Sequence, residues 1–277
     1  MFIAVKAVAA VLIAGVMSPG TEAVYEKKAA IEETRVACMK ESGFTYLAEP
    51  VIKRTWHPGE RERLAGDYEA LRTYRAKYGF GVWSKAVYPR DPVVNPDSGE
   101  NPNNENMMAM SADELKKWRA ADDACFSKAV KQHLGMTVTS YWDDYVGKLD
   151  AALDRSVAAL DKDAQLAQLG ERFAKCLGVS QTKPSVLAEL GHSQFTKQRT
   201  EVAKKQHKGP LPKAPKGRTL IMWSTMKPAE AKPYLDKEIK AALKDLECGK
   251  SFYAAYSPKA WAAKERVYQE FAVDYAL

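Results

Sequence analysis

Four cysteines scattered across 277 residues, Cys38, Cys125, Cys176 and Cys248, constrain the fold of this chain more than any other feature. Their spacing rules out the close Cys-x-x-Cys pairs of zinc ribbons and redox motifs. An even number of widely separated cysteines behind an export signal instead points to two disulfides, each tying together distant parts of the chain. The N-terminus supplies such a signal. MFIAVKAVAAVLIAGVMSPGTEA has a cation at Lys6, an apolar run from Ala7 to Met17, a helix-breaking Pro19-Gly20 and small residues at Thr21 and Ala23. Residues 1–23 are therefore expected to be a signal peptide cleaved after Ala23. The apolar run is too short for a membrane-spanning helix, which needs about 20 residues.

Hydrophobic periodicity predicts a mainly α, disulfide-stapled protein with a few short strands. Helices are expected from Val24 to Ser42, from Glu60 to about Tyr78, and from the capping box Ser111-Ala-Asp-Glu114 to Leu134. One long or gently broken helix is expected from Tyr141 to Leu177. A further helix from Pro233 to Tyr256 is followed by a separate one begun by Ser257-Pro258. Gly43 stands where a left-handed C-cap is wanted, and Gly135 and Gly178 mark the ends of the helices before them. Phe44 to Leu47 and Leu220 to Thr225 read as short strands. Residues 89–106, rich in Pro, Asn, Asp and Gly, read as a long loop. Trp118, Trp142 and Trp261 fall on apolar helical stripes and are assigned to the core.

The cysteines recur in two similar pairs of contexts. Arg35-Val-Ala-Cys38 and Arg172-Phe-Ala-Lys-Cys176 each lie near a helix end and precede a glycine, while Asp122-Asp-Ala-Cys125 and Asp245-Leu-Glu-Cys248 share the spacing Asp-x-x-Cys. This order implies two weakly repeated halves, 24–137 and 138–277. Of the three possible connectivities it selects Cys38 with Cys125 and Cys176 with Cys248.

CMKESGFTY after a charged helix, a loop containing Asn-Pro-Asn, a helical cysteine, and DLEC before an aromatic-rich terminal helix resemble a widespread group of uncharacterised secreted proteins and lipoproteins of actinobacteria. The resemblance implies export from a Gram-positive cell and brings no assigned activity.

Motifs for chemistry are absent. No Gly-x-Ser-x-Gly elbow, phosphate-binding loop or dinucleotide fingerprint occurs, and the four histidines share no metal-ligand spacing. No cofactor and no metal are therefore expected. Paired carboxylates need no sequence signature, so Asp143-Asp144 and Glu60 with Glu62 stand as candidates for glycoside hydrolysis. The clearest compositional break is residues 196–218, which hold eight cations (Lys197, Arg199, Lys204, Lys205, Lys208, Lys213, Lys216 and Arg218) against one acid, the net +7 of the whole chain. Prolines and glycines in GPLPKAPKG suggest a mobile basic loop. Such a loop attracts polyanions. Aromatics interleaved for nucleic acid are missing between Phe195 and Trp223, so no nucleic acid is expected.

The expected function is that of a non-catalytic secreted or cell-envelope-associated binding protein. Its basic loop would hold it on an anionic cell-wall polymer or membrane surface, and its helices would engage a protein partner of unknown identity. The alternative is a cell-wall glycoside hydrolase using paired carboxylates.

Overall fold

A computed structural model describes residues 19–96, 99–211 and 220–274, and 70% of it is helical. Its helices are α1 (Pro19–Glu41), α2 (Glu60–Leu64), α3 (Tyr68–Tyr78), α4 (Ser84–Val87), α5 (Asn104–Ala109), α6 (Ala112–Leu134), α7 (Val146–Ala158), α8 (Ala164–Leu177), α9 (Pro184–Gln206) and α10 (Pro228–Glu270). Most of the expected signal peptide lies outside the described residues. Both disulfides, Cys38–Cys125 and Cys176–Cys248, are present.

The architecture is organised around α10. Its 43 residues make a rod about 65 Å long. Near its start, Ala231 and Leu235 pack with Val82 and Trp83 of the α3–α4 region. Leu246, Phe252, Tyr253 and Tyr256 in its middle meet Phe173 and Leu166 of α8 and Leu187 of α9. At its end, Val267 and Phe271 join Ile31 of α1 with Phe126 and Val130 of α6. The expected halves thus keep one disulfide each, yet α10, from the second half, supplies core residues to the first.

Two prolines inside α10 explain why separate helices were expected there. Pro233 and Pro258 each remove an N–H and clash with the carbonyl four residues back. Both prolines, and the partners Ala229 and Ala254, are exposed. Water can take the freed carbonyls, and the apolar stripe on the opposite face keeps the helix continuous.

Elsewhere the local signals act as their chemistry requires. Ser111 and Glu114 form the expected capping box at α6, and Gly135 ends it in the left-handed conformation. The long helix expected from Tyr141 is broken. Residues Tyr141–Tyr145 form a wide π-turn, and Asp163 leaves helical geometry to cap α8 with its carboxylate on the amides of Gln165 and Leu166. The π-turn shifts the helical phase, so Tyr145 is buried and Trp142, assigned to the core, is 71% exposed. Gly66, left-handed at φ 80°, breaks the helix expected over 60–78 into α2 and α3. Tyr253 crowds it: a Cβ there would lie 2.4 Å from the Tyr253 carbonyl.

No strand occurs among the described residues. Phe44–Leu47 is extended but finds no partner strand. Instead the buried Asn103 side chain accepts from Leu47 N and donates to Leu47 O, both at 2.8 Å. Leu220–Thr225 is irregular and half-exposed. The remaining correction concerns the basic segment: residues 196–206 belong to helix α9, not to a loop.

Candidate functional site

A cleft of about 860 Å³ opens between α1, the irregular segment 49–57, α2 and the C-terminal end of α10. It owes its shape to the 89–106 region, whose Asn-Pro-Asn-Asn run pins the opposite wall. Asn103 holds Leu47, and Asn101 Nδ2 donates to Glu49 Oε1 at 2.8 Å. The loop noted in the sequence is thus a brace for the segment that carries Glu49.

The wall on α1 presents Lys28, Glu32 and Arg35 at helical spacing. Arg35 is the centre of a buried network. Its Nε and Nη2 donate to the two oxygens of Asp122 at 2.7 Å each, and its Nη1 donates to Glu32 Oε1 at 3.0 Å. The guanidinium also lies 4.7 Å from the Tyr46 ring centroid. Burial works against this charge, but the Asp122 hydrogen bond and the surrounding Tyr46, Asp122 and Glu32 outweigh it and hold Arg35 above its ordinary range. Glu32 is fully engaged, accepting from Tyr46 Oη and from Glu49 N, both at 2.9 Å.

Glu49 differs. Its carboxylate is 3.9 Å from Arg35 Nη1 and remains 44% exposed to the cleft. Burial, opposed by Arg35 and reinforced by Glu32 and Asp122, raises it above the usual carboxylate range. Because Glu32 and Glu49 both approach Arg35 Nη1, their facing oxygens are no more than about 7 Å apart, below the upper limit of about 9.5 Å for glycosidase carboxyl pairs. Lys28, half-buried in the field of Asp274, Glu49 and Glu32, has its ammonium lowered by burial.

The second wall is aromatic and cationic. Arg54 donates to Glu60 Oε1 at 2.5 Å and stacks 3.9 Å from the Trp56 ring, while Arg63 stacks 3.8 Å from Tyr74. These cation–π contacts fix the planes of the two guanidinium groups and of Tyr74, which line the cleft, with Trp56 packed behind Arg54.

The acids singled out in the sequence do not form pairs here. Asp143 is exposed on the π-turn, and Asp144 accepts from Thr139 N and pairs with Lys148 at 2.7 Å. The Lys148 hydrogen bond holds Asp144 below the usual range, the wrong direction for a proton donor. Glu60 lines the cleft bound to Arg54, and Glu62 faces solvent. The pair the fold does assemble, Glu32 and Glu49, comes from a helix and a loop 17 residues apart and had no signal in the sequence.

The predicted anion-binding cations separate into three groups. Lys197, Lys205 and Lys208 are exposed. Lys204 pairs with Glu201 at 2.7 Å, and Arg199 is buried at 5% exposure. Arg199 therefore leaves the surface set: it donates to the Val82 carbonyl ahead of α4, and residues 187, 191, 199 and 203 share the inner face of α9. Lys213, Lys216 and Arg218 lie outside the described residues.

Fold and cleft together define a disulfide-bonded α-helical protein with a charged, aromatic-walled cleft. Comparison with known proteins finds no matching family model, no similar curated protein and no similar solved structure. Among the described residues no helix is long and apolar enough to cross a membrane, and no group of three or more His, Cys, Asp or Glu side chains could hold a metal ion.

Proposed function

We propose that this is an exported, non-catalytic binding protein of the cell envelope, held on an anionic surface by the cationic end of α9 and the basic residues that follow it. The carrying observation is that Lys197, Lys205 and Lys208 are exposed and make no ion pair among the described residues. Unpaired cations of this kind contribute about 1 kcal/mol each near an anionic surface. Two disulfides support an oxidising, extracytoplasmic setting.

The test is sedimentation with isolated cell walls and with anionic vesicles over a salt series. Replacing Lys197, Lys205 and Lys208 together by Glu, at solvent-facing positions that leave the helix intact by circular dichroism, is expected to weaken binding on the order of 100-fold or more. Binding that survives the triple replacement, or that ignores salt, disproves the reading. Deleting 197–218 would be a poor test, because Thr200 and Ala203 are buried.

One observation favours a second reading, carboxylate-dependent wall hydrolysis. Glu49 has the raised proton affinity of a general acid and stands beside Glu32. Turbidity clearing of purified walls that is abolished by Glu49→Gln would establish it, and no clearing by the wild-type protein would remove it.

A further inference from the structure

Among the described residues three arginines are buried, and one of them differs from the other two. Arg35 holds Asp122 through two bonds and Arg75 pairs with Asp245. Arg199 has no carboxylate within ion-pair distance among the described residues, although it is only 5% exposed. Its one hydrogen bond runs from Nη1 to the Val82 carbonyl at 3.3 Å, and its Nε is buried without an acceptor. The Thr196 hydroxyl, one turn earlier on α9, and the Ser84 hydroxyl, at the start of α4, are also buried without partners. Buried polar groups are nearly always satisfied, so the orphaned Arg199 Nε, with two more orphans on α9 and at the start of α4, calls for a missing partner.

The acid whose charge reaches Arg199 cannot be that partner. The Glu238 carboxylate is occupied by the amides of Phe80, Val82 and Trp83 at 2.8–2.9 Å. The neighbours are instead more cations. Lys85 Nζ lies 5.1 Å and Arg199 Cζ 3.8 Å from the centroid of Trp223, a ring that is itself 57% exposed. His192, two turns before Arg199 on α9, joins Lys85 at the end of the cleft, facing Glu189 and Lys264 as well. Lys85 makes no ion pair among the described residues, and burial followed by the Arg199 charge lowers its ammonium.

We propose that Lys85 and Arg199, which share the Trp223 ring, together with His192, which lines the cleft as Lys85 does, form a site for the phosphate group of a ligand. A buried guanidinium with no carboxylate at ion-pair distance and an unfilled Nε donor is unfavourable. A phosphate would supply the charge and the acceptors together, and arginine is the side chain best shaped to bind it. The site is separate from the envelope-binding lysines at 197, 205 and 208 and does not depend on them.

The test is isothermal titration of the intact protein with inorganic phosphate and with glycerol 1-phosphate at fixed ionic strength, with phosphatidylglycerol vesicles as a parallel arm. Saturable binding is expected, weakened at least about tenfold in Lys85→Met and in Arg199→Met, since bonds to charged groups are of that strength. Saturation by the soluble phosphates assigns a soluble ligand, and saturation only by vesicles assigns a headgroup. Arg199→Met removes an unpaired charge and is expected to keep the wild-type thermal midpoint, whereas Arg75→Met, which strands Asp245, is expected to lower it by many degrees. The site is disproved if no arm saturates, if Lys85→Met binds as the wild type does, or if Arg199→Met unfolds as readily as Arg75→Met. The Lys197, Lys205 and Lys208→Glu protein is expected to titrate normally with inorganic phosphate, so envelope retention and this site fail independently.

Discussion

The two disulfides close stretches of similar length, 87 and 72 residues, but they hold very different parts of the molecule. Cys38–Cys125 joins α1 to α6 beside a small core of Met39, Tyr46 and Trp118, with Cys125 itself only 1% exposed. Cys176–Cys248 joins α8 to α10 at the surface, next to an aromatic core in which Phe173, Phe252, Tyr253 and Tyr256 pack ring on ring. The chain-entropy contribution of the two bridges is nearly equal, at about 4 kcal/mol each. What differs is the kind of contact that joins the helices besides the bridge. The α8–α10 pair packs through aromatic rings, whereas the α1–α6 pair adds the charged Arg35–Asp122 network, which walls the cleft, to the aliphatic contact of Ile31 and Val130.

The largest effect should come from removing the first bridge. Cys38→Ser with Cys125→Ser is expected to lower stability by about 4 kcal/mol and to open α1 and α6 to amide hydrogen exchange while the middle of α10 stays protected. Cys176→Ser with Cys248→Ser is expected to lower global stability comparably and to leave the exchange pattern of α8 and α10 nearly native. Identical exchange patterns in the two variants would break the comparison.

Next in size is Arg35→Met, which leaves the partly buried Asp122 and Glu32 without their cation. It is expected to cost about 3 kcal/mol, read from the urea midpoint, and to loosen the cleft wall. In the aromatic core Gly249→Ala probes packing instead, because its Cβ would lie 2.7 Å from the Tyr253 ring. Overpacking of this kind costs about 1–3 kcal/mol, and a neutral result would show that this core yields more readily than its ring packing implies.

The smallest effects are in pH dependence, and the two ends should respond with opposite sign. Asp163 caps α8, and its bond from Lys259, then the Leu166 amide, hold it below the usual range. Its stabilisation is present above the unfolded carboxylate value near 4 and is lost as pH falls through the lower folded value. The difference in urea midpoint between wild type and Asp163→Asn should therefore shrink in that acid window. Glu49 is raised, so the folded protein takes up its proton first and its unfavourable charge is relieved as pH falls. Glu49→Gln is expected to stabilise at neutral pH and to lose that advantage near pH 4.

Much of the helical scaffold was legible because its signals are local. The capping box at Ser111, the glycines at 135 and 178 and the recurring cysteine contexts depend on neighbours within a turn or two, and each appears where it was read. Helix α9 was missed for a physical reason. Its inner positions include Gly191, Arg199 and Thr200 in place of large apolar residues, so a buried stripe looked like a basic loop. Gly191 is needed there, because a Cβ would sit 2.1 Å from the Phe80 ring. The strands were misread because extended backbone requires a partner, and Asn103 rather than a strand supplies it to Leu47. The cleft was invisible in the sequence, since Glu32, Glu49 and Asp122 meet at Arg35 from three separate segments.

The amino-acid sequence by itself determined a helical protein with two disulfides paired in order, because capping, periodicity and cysteine context are set over a few residues. Only the tertiary structure decided that α10 runs unbroken through three cores, that Arg199 is buried without an ion-pair partner among the described residues, and that Glu49 faces a cleft. Those outcomes depend on burial and on partners distant in the chain, and a side chain's charge, proton affinity and freedom follow from what surrounds it.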